Sequence, residues 1–173
     1  FQTLGHYENA LAQKEFIHLA EFPGAASLCV ACDSTYIFLV EALQEVFELF
    51  PSKYFNMGAD ESFDVGLGKS RHLAEKYGIA TVHATHYKKV YDICKKAGKT
   101  VLMYGDILLD HPEILSLIPK DIIIVDWHYR AEPYYNSTEF FKKNGFDYIV
   151  SPSVWNFTST FPVTMNANPN IYY

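Results

Sequence analysis

Short unbroken apolar runs recur along this chain with helical stretches between them, and that alternation confines it to parallel α/β architectures. The runs are residues 53–58, 100–104, 121–127 and 146–151. The third carries Ile122, Ile123, Ile124 and Val125 in succession, and Gly98 and Gly145 lead into the second and fourth. A strand wetted on one face alternates apolar and polar residues. An unbroken run predicts a strand covered on both faces, as in a parallel sheet.

The segments between the runs have helical period. Asp33 or Ser34 can cap a helix with apolar positions Tyr36, Leu39, Val40, Leu43, Val46, Phe47 and Phe50, stopped by Pro51. A second helix is expected to open at Thr81, turn Val82, Val90, Ile93 and Ala97 inward, and end at Gly98. Shorter helices are predicted over 112–117 and 138–143. Such a repeat fits an open doubly wound sheet or a (β/α) barrel, and both put chemistry beyond the carboxyl ends of the strands. The length, 173 residues, suits one domain with a real core.

Composition narrows the function. The formal charge is −6 and no Lys/Arg cluster stands out, so the basic face that nucleic acid requires is missing. No apolar run approaches the ~20 residues of a membrane span. Aromatics are abundant, with 13 Tyr and 13 Phe; they fill cores and also stack on flat ligand faces such as those of sugars. The chain opens on Phe1 without a signal peptide and is expected to begin inside something larger.

Several motifs admit a plain reading. Cys29 and Cys32 form a C-x-x-C, as in a redox motif or half a zinc site; no second ligand pair follows at zinc spacing, and a thioredoxin-like motif should follow a strand and open a helix in its own βαβ context, so incidental small residues before a helix are expected. Gly66-Leu67-Gly68-Lys69-Ser70 resembles the end of a phosphate-binding loop but has Asp64 where the first glycine belongs; a turn with Ser70 capping the next helix is expected. His83 and His86 stand three apart, as metal ligands can, without an acidic partner on the same turn; a helix surface is expected, and no metal. Asn136-Ser137-Thr138 and Asn156-Phe157-Thr158 fit glycosylation acceptors, relevant in a secreting eukaryote.

The segment from Tyr54 to Ser62 is the most informative. An apolar run enters Gly58-Ala59 and then two adjacent acids, Asp60 and Glu61. Neighbouring carboxylates at a strand end repel if both ionise, which leaves one as a proton donor and one as an anion. Glycoside hydrolysis needs that division of labour.

Asn56-Met57-Gly58-Ala59-Asp60-Glu61 resembles the signature of family 20 glycoside hydrolases, the β-N-acetylhexosaminidases, of the hexosaminidase D-like kind. Other segments are similar to the family in the same order: residues 2–8 around Gly5-His6, the helix ending at Pro51, Met103-Tyr104-Gly105-Asp106, Trp127-His128-Tyr129, and residues 151–156 with Trp155 and Asn156. The resemblance implies a (β/α)8 TIM barrel, present over residues 1–173 as about strands 3–7, without the first two strands and the last. It implies hydrolysis of terminal β-linked GlcNAc or GalNAc with retention, the substrate's 2-acetamido oxygen being the nucleophile. Glu61 then matches the general acid/base and Asp60 the residue that orients the acetamido group and stabilises its positive charge. His6 matches a histidine near the pocket. Asp106 is a candidate for sugar hydroxyls or for the acid pair, and Tyr104, Trp127, Tyr129 and Trp155 for aromatic pocket walls. Tyr129 and Asn156 are both candidates to bond the acetamido carbonyl. No cofactor is implied; the partners are N-acetylhexosamine-containing glycans.

Two departures qualify the likeness. Tyr104 and Phe157 stand where the family often has Trp, which reshapes the sugar pocket. The family's hydroxyl-gripping Arg from the first strand and its Trp/Glu pair from the last have no counterpart in residues 1–173, so this segment alone is expected to be inactive. The alternatives are a barrel glycosidase for another sugar and a carbohydrate-binding barrel without catalysis.

Overall fold

A computed structural model describes residues 1–130 and 132–153. Its sheet has four strands, β1 (Tyr54–Asn56), β2 (Thr100–Tyr104), β3 (Ile123–His128) and β4 (Tyr148–Pro152). All pair in parallel, in the spatial order β1-β2-β3-β4. Each strand lies beside its predecessor, and the order never reverses as it does in a doubly wound sheet; this is the winding of a barrel wall.

Helices α1 (Glu8–Leu11), α2 (Asp33–Leu49), α3 (Arg71–Tyr77), α4 (Ile79–Lys96), α5 (Asp106–Asp110) and α6 (Asn136–Lys143) complete the described elements, with 3-10 turns at Ile17–Leu19 and Pro112–Ser116. The core forms where the helices meet one face of the sheet. Phe55, Val101, Met103 and Ile124 point from successive strands into it, beside Leu39 and Leu43 of α2 and Tyr87, Val90 and Cys94 of α4. Side chains alternate across a strand, so the strand registers put Asn56, Leu102, Tyr104, Val125, Trp127, Ile149 and Ser151 on the opposite, inner face.

Several sequence expectations need correction. The run at 146–151 is not covered on both faces: Ile149, on the inner face of the last strand described, is 49% exposed. Val40 and Phe50 of the first long helix face solvent, while Leu39 and Leu43 are buried. α4 begins at Ile79 rather than Thr81, directly after Gly78, and Ala97 lies beyond its last turn and is exposed. His83 and His86 are no helix surface: they are 2% and 0% exposed, packed inside α4's buried face. Cys29 and Cys32 are joined as a disulfide rather than being incidental small residues. Gly66 does make a turn, at φ +85°, and Ser70 is the N-cap residue of α3, but its side chain does not bond the helix's N–H groups; its hydroxyl accepts the Gly66 N–H (2.9 Å) and donates to the buried Glu21 carboxylate. No helix among the described residues is long and apolar enough to cross a membrane.

Candidate functional site

The segment after β1 turns sharply. Gly58, Ala59 and Glu61 all have left-handed φ, at +69°, +71° and +48°, and His6 beside them has +62°. For a residue with a Cβ that region costs on the order of 1 kcal/mol each, so the turn is held by contacts from elsewhere. Residues 2–6 supply them. The Thr3 hydroxyl donates to the Met57 carbonyl (2.8 Å), and the Gln2 amide oxygen accepts the Ala59 N–H (3.0 Å). A Cβ on Gly5 would collide with the Asp60 carbonyl oxygen, so glycine permits the close crossing of the two segments.

This turn carries Asp60 and Glu61 into a cleft of about 510 Å³ at the carboxyl ends of the strands. His6 stands over both: its Nε2 is 3.2 Å from Asp60 Oδ2 and 3.5 Å from Glu61 Oε2. Asp60 is the more enclosed acid, its side chain 14% exposed against 44% for Glu61. Its other oxygen, Oδ1, accepts from the Gln2 amide at 2.7 Å. Tyr104, Trp127 and Tyr129 form an aromatic flank, with the last two rings 5.1 Å apart. Burial, and then the charge of Asp60, push the Tyr104 hydroxyl above its ordinary pKa.

Asp106 lies behind the cleft rather than in its wall. Its Oδ2 accepts the backbone N–H of Glu61 at 2.8 Å, which braces that residue's left-handed turn, while Oδ1 is buried without a hydrogen-bond partner among the described residues. Burial raises its pKa above the ordinary carboxylate value; the Glu61 N–H pulls it down and the Asp60 charge pushes it up.

Six residues singled out from sequence therefore meet in the cleft: His6, Asp60, Glu61, Tyr104, Trp127 and Tyr129. Asp106 touches its acid pair from behind. Trp155 and Asn156 lie outside the described residues. Sequence reading missed Gln2, His128, Ser151 and Ser153. His128 lines the cleft with Nε2 3.0 Å from the buried Asp126, and Ser137 Oγ donates to the same Asp126 oxygen at 2.7 Å. Its position at the end of β3, between two aromatics already chosen, was a usable signal; Gln2 offered none, since its partners lie 57 and 58 residues on. Among the described residues, no cluster of three or more His, Cys, Asp or Glu could hold a metal ion.

A barrel-wall sheet with paired acids at its strand ends defines the class, an α/β barrel with a hydrolase-like cleft. Residues 5–170 match the model of the glycosyl hydrolase family 20 catalytic domain, and the chain belongs to that family. Its fold is similar to a β-N-acetylhexosaminidase from Bacteroides fragilis (TM-score 0.68, 22% identity, 98% of this chain and 34% of that one). It is also similar to a family 20 exo-β-N-acetylglucosaminidase from Vibrio harveyi (0.66, 22%, 87% and 24%), whose structure is a complex with N-acetylglucosamine. The chitobiase of Flavobacterium johnsoniae is a third (0.68, 20%, 87% and 25%). The chain thus spans about a quarter to a third of these proteins. No curated protein matches it in sequence.

Proposed function

We propose that residues 1–173 form part of the catalytic barrel of an exo-β-N-acetylhexosaminidase, which removes terminal β-linked GlcNAc or GalNAc from glycans with retention. The observation that carries this reading is the pair Asp60–Glu61, adjacent in sequence and both in one aromatic-flanked cleft, in a chain of family 20. The more exposed Glu61 is free to approach a glycosidic oxygen, which it protonates; it then takes a proton from the water that completes the reaction. Asp60, more enclosed and oriented by its two partners, accepts the acetamido N–H and stabilises the positive charge that develops when the acetamido oxygen attacks the anomeric carbon. The aromatic flank of Tyr104, Trp127 and Tyr129 covers the apolar face of the sugar and its methyl group.

The test is turnover of aryl N-acetyl-β-glucosaminide and N-acetyl-β-galactosaminide by the full-length protein. Glu61→Gln is expected to abolish it. Asp60→Asn should lower kcat by roughly 10²-fold or more, the range for loss of a group aimed at developing charge. A thiazoline that mimics the cyclised intermediate should inhibit. Wild-type rates in Glu61→Gln would refute the roles, and sugar binding without turnover would point to a silent carbohydrate-binding barrel.

A further inference from the structure

We infer that Gln2 is a positioning residue for Asp60, a neutral amide that orients the carboxylate without neutralising it; this rests on the function proposed above. The amide makes two bonds of opposite sense. Its Oε1 accepts the Ala59 N–H at 3.0 Å, and its Nε2 donates to Asp60 Oδ1 at 2.7 Å. Both partners are unambiguous, since a backbone N–H can only donate and a carboxylate oxygen can only accept. Turning the amide over would break both bonds, so its orientation is determined by its neighbours.

The surroundings serve this placement. Tyr7 donates its hydroxyl to the Gln2 carbonyl at 2.6 Å, fixing the backbone from which the amide extends. Gly58 provides the space, for a Cβ there would run into the Gln2 amide oxygen. His6 takes the second Asp60 oxygen at 3.2 Å. Both oxygens of Asp60 thus have a partner, and the carboxylate plane cannot rotate without losing one.

The chemistry explains why an amide suits this position. A donor to Oδ1 fixes the direction in which that carboxylate points. A lysine or arginine would do the same, but its charge would cancel the field that stabilises a cationic intermediate. A glutamine leaves the negative charge of Asp60 available to the substrate. The ionisable groups around the amide include Asp60 and Glu61 after β1, His6 and Tyr7 from its own segment, Tyr104 and Asp106 at and beyond the end of β2, and Tyr87 of α4.

Two variants of the full-length protein test this. Gln2→Met keeps the length and removes both bonds. It should lower kcat by about 10- to 100-fold with KM changed less than threefold, the scale of one hydrogen bond to a charged group. Gln2→Glu can replace both bonds only while its carboxyl is protonated, when its C=O accepts the Ala59 N–H and its O–H donates to Asp60. Its activity should approach the wild type at acid pH and fall as pH rises, moving the basic limb of the kcat profile down by about one unit or more. This profile is read within one variant, so it decides the matter even if Gln2→Met folds poorly. A wild-type kcat in folded Gln2→Met, or a Gln2→Glu profile that is the wild-type curve scaled by a constant, would overturn the assignment and leave the proposed function intact. A wild-type protein inactive on both substrates would instead overturn that function, and this inference with it.

Discussion

Gly5 has the narrowest tolerance in the candidate site. It lies where residues 2–6 cross the turn after β1, and any Cβ there meets the Asp60 carbonyl. Gly5→Ala should destabilise the protein by about 1–3 kcal/mol, as overpacking does in tight interiors. It should also lower kcat/KM, because the displaced carbonyl belongs to a proposed catalytic residue. Urea unfolding read beside the aryl-glycoside assay checks both, and unchanged stability would mean that the crossing can open at little cost. Asp60 and Glu61 could be found in the sequence because two adjacent acids after an apolar run and Gly-Ala form a local pattern. Gln2 could not, since nothing in its neighbours encodes a partner 58 residues away. Asp106 was half legible: its position beyond β2 was read, but its bond to the Glu61 backbone depends on a turn with positive φ that no residue type announces.

At the scale of elements, the four strands were legible as apolar runs and the long helices as periodic ones, while the shorter pieces were not. α3 and α5 have few buried residues to set a period, and α1 is one turn long. The inner face of the sheet misled the reading of β4, since apolar residues there reflect the position of a strand in a barrel rather than burial in the described segment. On the outer face, α6 is joined to the sheet by Phe141, which is fully buried and whose ring occupies the space Gly105 leaves empty. Phe141→Ala should cost about 3–5 kcal/mol by leaving a cavity. Gly105 joins Tyr104 of the cleft to Asp106 behind it, so activity should fall at temperatures where the variant is still folded. Thermal unfolding and initial rates on one preparation separate the two effects.

The molecule as a whole carries an acid sensitivity in α4. Burial depresses His86 to about 3 and His83 to about 4, with further lowering from the charge of His83 on the one and of His111 on the other. Their ring nitrogens face tyrosine hydroxyls, His83 at 3.2 Å from Tyr87 and His86 at 3.3 Å from Tyr36. In the unfolded chain both titrate near the ordinary value of about 6.5. Between about 6.5 and these depressed values the unfolded state therefore binds more protons, so stability falls as pH drops through that window and is unaffected by these groups above it. Urea midpoints at pH 7.5, 6 and 5 should decline, and the decline should flatten in His83→Gln/His86→Gln; an equal slope in that variant would refute the assignment.

The two segments that cross at Gly5 lie 54 to 58 residues apart along the chain, with α2 and β1 between them. Contacts of such separation are closed late, after local helices have formed, because the entropy of the intervening loop must be lost first. Aiming the acid pair therefore waits on closure of that loop. A chain in which that loop has not closed would hold the carboxylates but no means of aiming them.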